Sequence, residues 1–496
     1  MLDVQICERA RLARDARFDG LFFTGVLSTG IFCRPICPAP QPKAKNVVYF
    51  PTAAAAAAAG LRPCLRCRPE SAPGTPAWNG TSATVSRALA LMRQGALDTG
   101  GLEGLAARLG VGPRHLRRLF VRHLGTSPMA LANTQRVLFA KKLLAETQWP
   151  VTQIALSAGF GSIRRFNAAF RALYHRSPST FRELTGGRPV VPAWFECTLT
   201  LPYRPPYDWP HMLAFFRARA IQGVEYVTVD GYHRTIRCHG GPGVLQVTHA
   251  PKGHGLVVKM ALPDSRDLMA LVDRLRRMFD LDANLEAVHQ ALTADPLLAP
   301  LVQQFEGLRL PGAWDPFETA VRAVVGQQIS VKAARTVLGR IVERTGPPVA
   351  LADTPQLTRC FPTAEELLRA DPAPAGMSGR RWQTLVGLAR AVTDGVIDLR
   401  LHTDLEEFVR RLTRLPGIGP WTAQYIALRA LGEPDAFPAG DLGLIQALAC
   451  NGAKPTQGQL LARADAWRPW RAYAATYLWN SLGNNLAQNE IEEVKR

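Results

Sequence analysis

The sequence predicts a multidomain chain, mainly α with α+β parts, and three observations carry that expectation. First, its 496 residues, 47% of them apolar, suffice for about three or four domains at roughly 150 residues each, every one with its own core. Second, two clusters of breaker residues, Ser71 to Ser82 (SAPGTPAWNGTS) and Gly186 to Pro192 (GGRPVVP), read as connections between domains. Third, a strand-and-helix stretch gives way near Leu281 to long helical periodicity. No repeat of fixed period is visible, and the alanine run Ala53 to Ala59 reads as helix.

A formal charge of +19 points to a polyanionic partner, because each phosphate that a cation neutralises releases a condensed counterion. Nucleic acid is the first candidate and a membrane surface the weaker one. No stretch approaches about 18 uncharged apolar residues, and Asp3, Glu8, Arg9 and Arg11 leave no apolar core for a signal peptide, so a cytoplasmic protein without a membrane partner is expected. Nine cysteines, an odd number in such a chain, favour metal or catalytic thiols over a disulfide scaffold.

Cys33-x3-Cys37 and Cys64-x2-Cys67 are two close pairs separated by 26 residues, the arrangement of a closed four-thiolate zinc site. The flanking core (Phe22, Phe23, Ile31, Phe32, Val47 to Phe50) is small, so one zinc ion would supply much of the stability of an α+β domain over 1–76. Four thiolates carry a net charge of minus two at the metal, which leaves a sulfur nucleophilic; the plain alternative is a structural staple. Thr29-Gly30-Ile31-Phe32-Cys33-Arg34-Pro35, Cys37 and Gly60 to Cys67 resemble the N-terminal domain of Ada. The resemblance implies that Cys33 accepts methyl groups from DNA phosphotriesters. Loss of one negative charge there would raise affinity for DNA, making a switch.

Residues 83–186 carry two helix-turn-helix patterns in an all-α domain. In the first, Leu105-Ala106-Ala107 and the turn Gly110-Val111-Gly112 lead into a helix from Pro113 to Leu124 that bears Arg114 and Arg117. In the second, Ile154-Ala155 and Ala158 to Gly161 lead to Ser162, read as N-cap of a helix bearing Arg164, Arg165, Phe166, Asn167 and Phe170. Arginines opposite an apolar face suit phosphates and base edges. The run through Phe170-Arg171, Tyr174, Ser177-Pro178 and Phe181-Arg182 resembles AraC-type DNA-binding domains, with His175 where glycine is usual. That resemblance implies promoter DNA as a partner, and RNA polymerase beside it.

Beyond a small α+β lobe (194–281), an all-α region (282–488) contains Leu415-Pro416-Gly417-Ile418-Gly419-Pro420-Trp421-Thr422-Ala423. Gly417 and Gly419 would let backbone approach a phosphate at a helix N-terminus, a sequence-independent DNA anchor. Pro438-Ala439-Gly440-Asp441 follows within about twenty residues, the order of a helix-hairpin-helix glycosylase; Asp441 is both a catalytic candidate and a candidate N-cap. A carboxylate beside the anomeric carbon stabilises an oxocarbenium-like sugar and can direct water to it. Bifunctional relatives place an attacking lysine where this chain has Trp421, so hydrolysis without strand cleavage is expected. An iron–sulfur cluster is not expected, since only Cys450 lies beyond Asp441. Trp421, Tyr425 and Trp479 could wall a pocket that draws in a flipped, positively charged base.

From Pro205 to Trp209 through Asp315 to Glu318, Gly326 to Ser330, the hairpin, Asp441 and Arg468 to Tyr473, residues 194 to 486 resemble the AlkA 3-methyladenine DNA glycosylases. The resemblance implies Asp441 as catalytic acid, Trp421, Tyr425, Trp479 and Phe215 as pocket residues, and Gln328 as the residue entering the base stack. It also implies a monovalent cation near the carbonyls of Thr413, Leu415 and Ile418. Two departures are Gln328, where the family has an apolar wedge, and Asn480, where it has tyrosine. Arg237-Cys238-His239-Gly240 does not match a Pro-Cys-His-Arg centre, so no reversal of O6-alkylguanine is expected. The joint expectation is a glycosylase for 3-methyladenine and 7-methylguanine, acting on alkylated double-stranded DNA and fused to a methylation-sensing regulator. The alternative is an activator whose glycosylase lobe is inactive.

Overall fold

Four short strands gather around the cysteine pairs. In the computed structural model, which describes residues 3–73, 83–93, 95–185, 194–349, 354–369, 376–399, 405–449 and 453–494, they run Val47–Phe50, Phe23–Val26, Ile31–Cys33, Arg62–Pro63 across one sheet. The first three are antiparallel neighbours and the last pairs in parallel. The alanine run forms the helix Ala53–Ala58, capped by Thr52, whose hydroxyl accepts the Ala55 amide. Its small side chains let the helix lie close against Phe23, Phe32 and Leu61 in a modest core, beside a second cluster of Cys7, Ala10 and Phe22. The cluster Gly186 to Pro192, residues 74–82 of the other linker, and Cys450 lie outside the described residues.

This lobe shares one compact unit (Met1–Pro205, Ile236–Arg276, Leu281–Ala283) with the helix-turn-helix segment and most of a sheet. Helices Ala96–Arg108 and Pro113–Leu124 form the first motif, Val151–Ser157 and Ile163–Tyr174 the second. The long helix Pro128–Glu146, capped by Ser127, joins the two. Ser162 stands at the predicted N-cap position, but its side chain makes no capping hydrogen bond. Its expected role there is corrected: the second helix is held by packing, with Phe166, Phe170 and Tyr174 buried in sequence along one face. His175 ends that helix in the left-handed conformation (φ 55°), which explains the usual glycine. Between the N-terminal lobe and the long helix, buried Glu70 pairs with Lys141. Glu146 takes Lys142 at 2.8 Å.

In the same unit Phe195–Pro202, Gly255–Leu262 and Gly241–Ala250 form an antiparallel run, with Phe195 opposite Leu262 and Val244 opposite Ala261. Arg237 and Cys238 end the strand Gly231–Cys238, and His239 and Gly240 turn out of it. Among the described residues no helix is long and apolar enough to cross a membrane.

The second unit (Pro206–Thr235, Arg277–Asp280, Asn284–Arg496) is largely helical. Asp208 caps the helix Trp209–Arg219 by accepting the His211 amide. Asp315 caps Pro316–Val325, whose side chains are buried almost throughout. Glu318 on that helix meets Arg234 at 2.9 Å and Arg322 at 2.7 Å, and Arg322 also reaches Glu225. Burial alone would raise the Glu318 carboxyl, but the two guanidiniums hold it below the usual carboxylate range. A depressed folded value means this contribution is complete above the ordinary glutamate range and lost as pH falls through the folded value. Replacing Glu318 by Gln strips two buried guanidiniums of their shared counter-charge. The expected cost is about 3–5 kcal/mol in the urea unfolding of this unit at pH 7. A loss below about 1 kcal/mol would show that the pairs hold nothing together.

Candidate active site and metal centre

The cysteine pairs converge as their spacing predicts. One sulfur each from Cys33, Cys37, Cys64 and Cys67 lies within 4.8 Å of the others. A tetrahedron of metal–sulfur bonds near 2.3 Å has edges of about 3.8 Å, so the four-thiol set fits a closed site. Cys64 and Cys67 are buried, whereas Cys33 and Cys37 are half-buried. The Arg34 amide donates to the Cys67 sulfur at 3.3 Å, and the Arg34 side chain is held by Asp19 at 2.9 Å. Cys33 and Cys37 therefore stand on the more accessible side of the cluster.

On the two motif helices, Arg114, Arg117, Arg164 and Arg165 are exposed and Asn167 is half-buried, opposite buried Leu116, Phe120, Phe166 and Phe170. The hydrophobic spacing aims the first set outward while the second builds the core.

The glycine hairpin lies between helices Leu405–Leu412 and Pro420–Ile426. Its two glycines serve different ends. Gly417 has φ +85°, and a Cβ there would come 2.0 Å from the Thr384 hydroxyl, so no other residue fits without movement. A Cβ on Gly419 would meet nothing within 4 Å, which leaves an open face at the start of the following helix. Gln327 braces the hairpin by donating to the Gly417 carbonyl at 2.9 Å and the Thr422 hydroxyl at 3.0 Å. Its neighbour Gln328 is exposed and has a left-handed backbone (φ 58°), a strained conformation for this residue type.

Asp441 is the N-cap of Leu442–Ala447, and its Oδ1 accepts the Leu444 amide at 3.1 Å. The same oxygen accepts the Trp479 indole N–H at 2.8 Å, and Oδ2 accepts the Trp421 indole N–H at 3.0 Å. The two tryptophans read as pocket walls thus also orient the carboxylate. They border a cavity of about 1160 Å³ with Phe215, Tyr425, Gln328 and Asn480, every pocket residue that the sequence nominates. Trp421 and Tyr425 stack at 5.5 Å between ring centres.

Sequence reasoning missed Gln327, His211, Arg219 and Arg429, all on the cavity wall. The last three were signalled by spacing: 211, 215 and 219 fall on one helix face, as do 421, 425 and 429. Burial holds the His211 imidazole below its ordinary value. For the Tyr425 phenol burial acts upward, but Arg429 and Arg219 bring it below its ordinary value. Arg429 also lies against Phe215, Tyr425 and Trp479, so the aromatic wall carries a cation that the sequence reading did not include.

A family model described as the metal binding domain of Ada matches residues 6–70, and a helix-turn-helix domain model matches 105–184. An AlkA N-terminal domain model matches 198–315, and one for the HhH-GPD superfamily of base excision DNA repair proteins matches 321–472. The chain is 34% identical over 287 residues to DNA-3-methyladenine glycosylase 2 of Escherichia coli, covering 57% of this chain and 97% of that one. The solved 3-methyladenine DNA glycosylase from Archaeoglobus fulgidus matches 56% of this chain and 96% of its own, at 25% identity and a TM-score of 0.50. Over 488 residues, 98% of each chain, the protein is 41% identical to a probable bifunctional transcriptional activator/DNA repair enzyme AlkA of Mycobacterium tuberculosis. The chain belongs to this AlkA family of bifunctional transcriptional activator and DNA repair proteins.

Proposed function

We propose that the chain is a monofunctional DNA glycosylase that hydrolyses the N-glycosidic bond of alkylated bases, of the 3-methyladenine and 7-methylguanine class. The observation that carries this reading is the Asp441 carboxylate, held by two indole N–H groups and one amide at the edge of a cavity large enough for a base. As the bond to the base breaks, positive charge develops on the sugar, and a fixed carboxylate stabilises it without reorganising. Oδ1 receives two of the three donors and Oδ2 one, which leaves Oδ2 the freer oxygen to orient water. No lysine is among the described residues lining the cavity, in keeping with attack by water and an abasic product with intact strands.

The hairpin glycines would grip the backbone while Gln328, at its exposed and strained turn, fills the space the base leaves. Carbonyls of Thr413, Leu415 and Ile418 are the proposed seat of a monovalent cation; the Leu415 carbonyl already accepts the Ile418 amide at 3.1 Å.

The N-terminal cluster is assigned to zinc, and Cys33 to methyl acceptance. A methyl group would leave a phosphotriester oxygen and bond to the Cys33 sulfur, while the phosphate regains its negative charge. The half-buried position of Cys33 and Cys37, against buried Cys64 and Cys67, supports an acceptor in the first pair, and the resemblance to Ada selects Cys33 within it. The helix-turn-helix arginines would then engage promoter DNA, with RNA polymerase the partner of an activator.

Asp441→Asn keeps a capping side chain but sets an amide N–H against an indole N–H. Release of 3-methyladenine and 7-methylguanine from alkylated duplex is expected to fall at least about 10²–10³-fold, with strands unnicked in both proteins. Equal release by wild type and variant would remove Asp441 from the chemistry. Metal analysis is expected to find one zinc per chain, lost in Cys64→Ser together with protease resistance of the N-terminal lobe. A variant that loses its metal but keeps its resistance would show that the cluster is no staple.

A further inference from the structure

The base pocket carries a cation of its own. Arg429 is only 6% exposed, yet it borders the cavity. Its guanidinium carbon lies 4.7 Å from the ring centre of Phe215, 5.2 Å from that of Trp479 and 5.6 Å from that of Tyr425. One N–H is committed to the Pro311 carbonyl at 2.8 Å. The Nε–H is buried without a hydrogen-bond partner. Arg219 adds a second guanidinium, 4.0 Å from the Phe215 ring centre. A flipped base that enters this cavity meets fixed positive charge as well as π faces.

We propose that Arg429 sets the charge preference of the base pocket: it opposes a positively charged base in the bound state and stabilises the electron pair left on the base at bond cleavage. The proposal rests on the glycosylase reading above. When the bond to the anomeric carbon breaks, both electrons stay on the base, water supplies the new oxygen, and its proton passes to a carboxylate or to solvent. A cationic base therefore departs neutral, and a neutral base departs as an anion until protonated. Its charge falls by one in either case, so a nearby guanidinium favours departure of both. The bound states differ, because only the cationic base is repelled. Arg429 thus works against tight binding of methylated cationic purines, and its help is largest where the leaving group is poorest.

The full chain can be assayed on one duplex carrying either 7-methylguanine, a cationic base, or hypoxanthine, a neutral one. Arg429→Met keeps the buried stem and removes the charge. It is expected to lower the hypoxanthine-to-7-methylguanine ratio of kcat/KM by about 30-fold or more, and to lower KM for the 7-methylguanine duplex. Arg429→Lys, which restores charge, is expected to bring the ratio back toward wild type. An unchanged ratio in Arg429→Met overturns the proposal. Should that variant fail to fold, wild type alone decides through its Kd for duplexes carrying the same two bases as uncleavable 2′-fluoro nucleotides. Binding of the neutral base at least as tight as that of the cationic one supports the proposal. Tighter binding of the cationic base overturns it. Release of 7-methylguanine with such a binding preference sinks this inference and leaves the glycosylase standing, whereas release of neither base sinks both.

Discussion

Three hydrogen bonds hold the Asp441 carboxylate, and they come from three separate stretches of chain. Trp421 brings the helix that follows the glycine hairpin, Trp479 brings the C-terminal helix, and Leu444 belongs to the helix that Asp441 itself caps. A side chain on a loop would sample several rotamers; one that terminates a helix and receives two indoles does not. The same contacts set the mouth of the cavity, because the indole N–H groups point at the carboxylate while the rings form the wall. The hairpin, the pocket and the acid are consequently one arrangement. Its precision derives from rigid elements, as reacting groups require.

Electrostatics around the cavity come in two layers. Nearest the space lie Arg429 and Arg219 with Asp441 across from them. In the second layer Arg322, which also reaches the cavity wall, and Arg234 are matched by Glu225 and Glu318, with Tyr232 donating to Glu225. The rear layer is satisfied internally and serves stability, since a buried ion pair that loses one member leaves an expensive orphan. The front layer lacks that closure. Its two cations are held by ring faces and carbonyls and outnumber the one carboxylate, Asp441, that shares the cavity with them.

Local spacing carried much of what the chain discloses in advance. Two cysteine pairs, a glycine hairpin and an acid beyond the next helix are short-range signals, and the geometry they require is short-range too. The alanine helix and both helix-turn-helix turns were legible for the same reason. What stayed hidden depends on partners distant in sequence. The role of Arg429 rests on Phe215, Pro311 and Trp479, and that of Gln327 on Gly417. Ser162 shows the converse failure: the right residue type stands at the N-cap position, yet its side chain makes no capping hydrogen bond.

Gln327 bridges the hairpin through two hydrogen bonds, and Gln328, the next residue, stands exposed at its strained turn. Adjacent residues on one short segment therefore brace the glycine hairpin and present an exposed side chain beside it. Under the proposed function, a firm hold on the strand and pressure on the pair beneath it would then be one mechanical event.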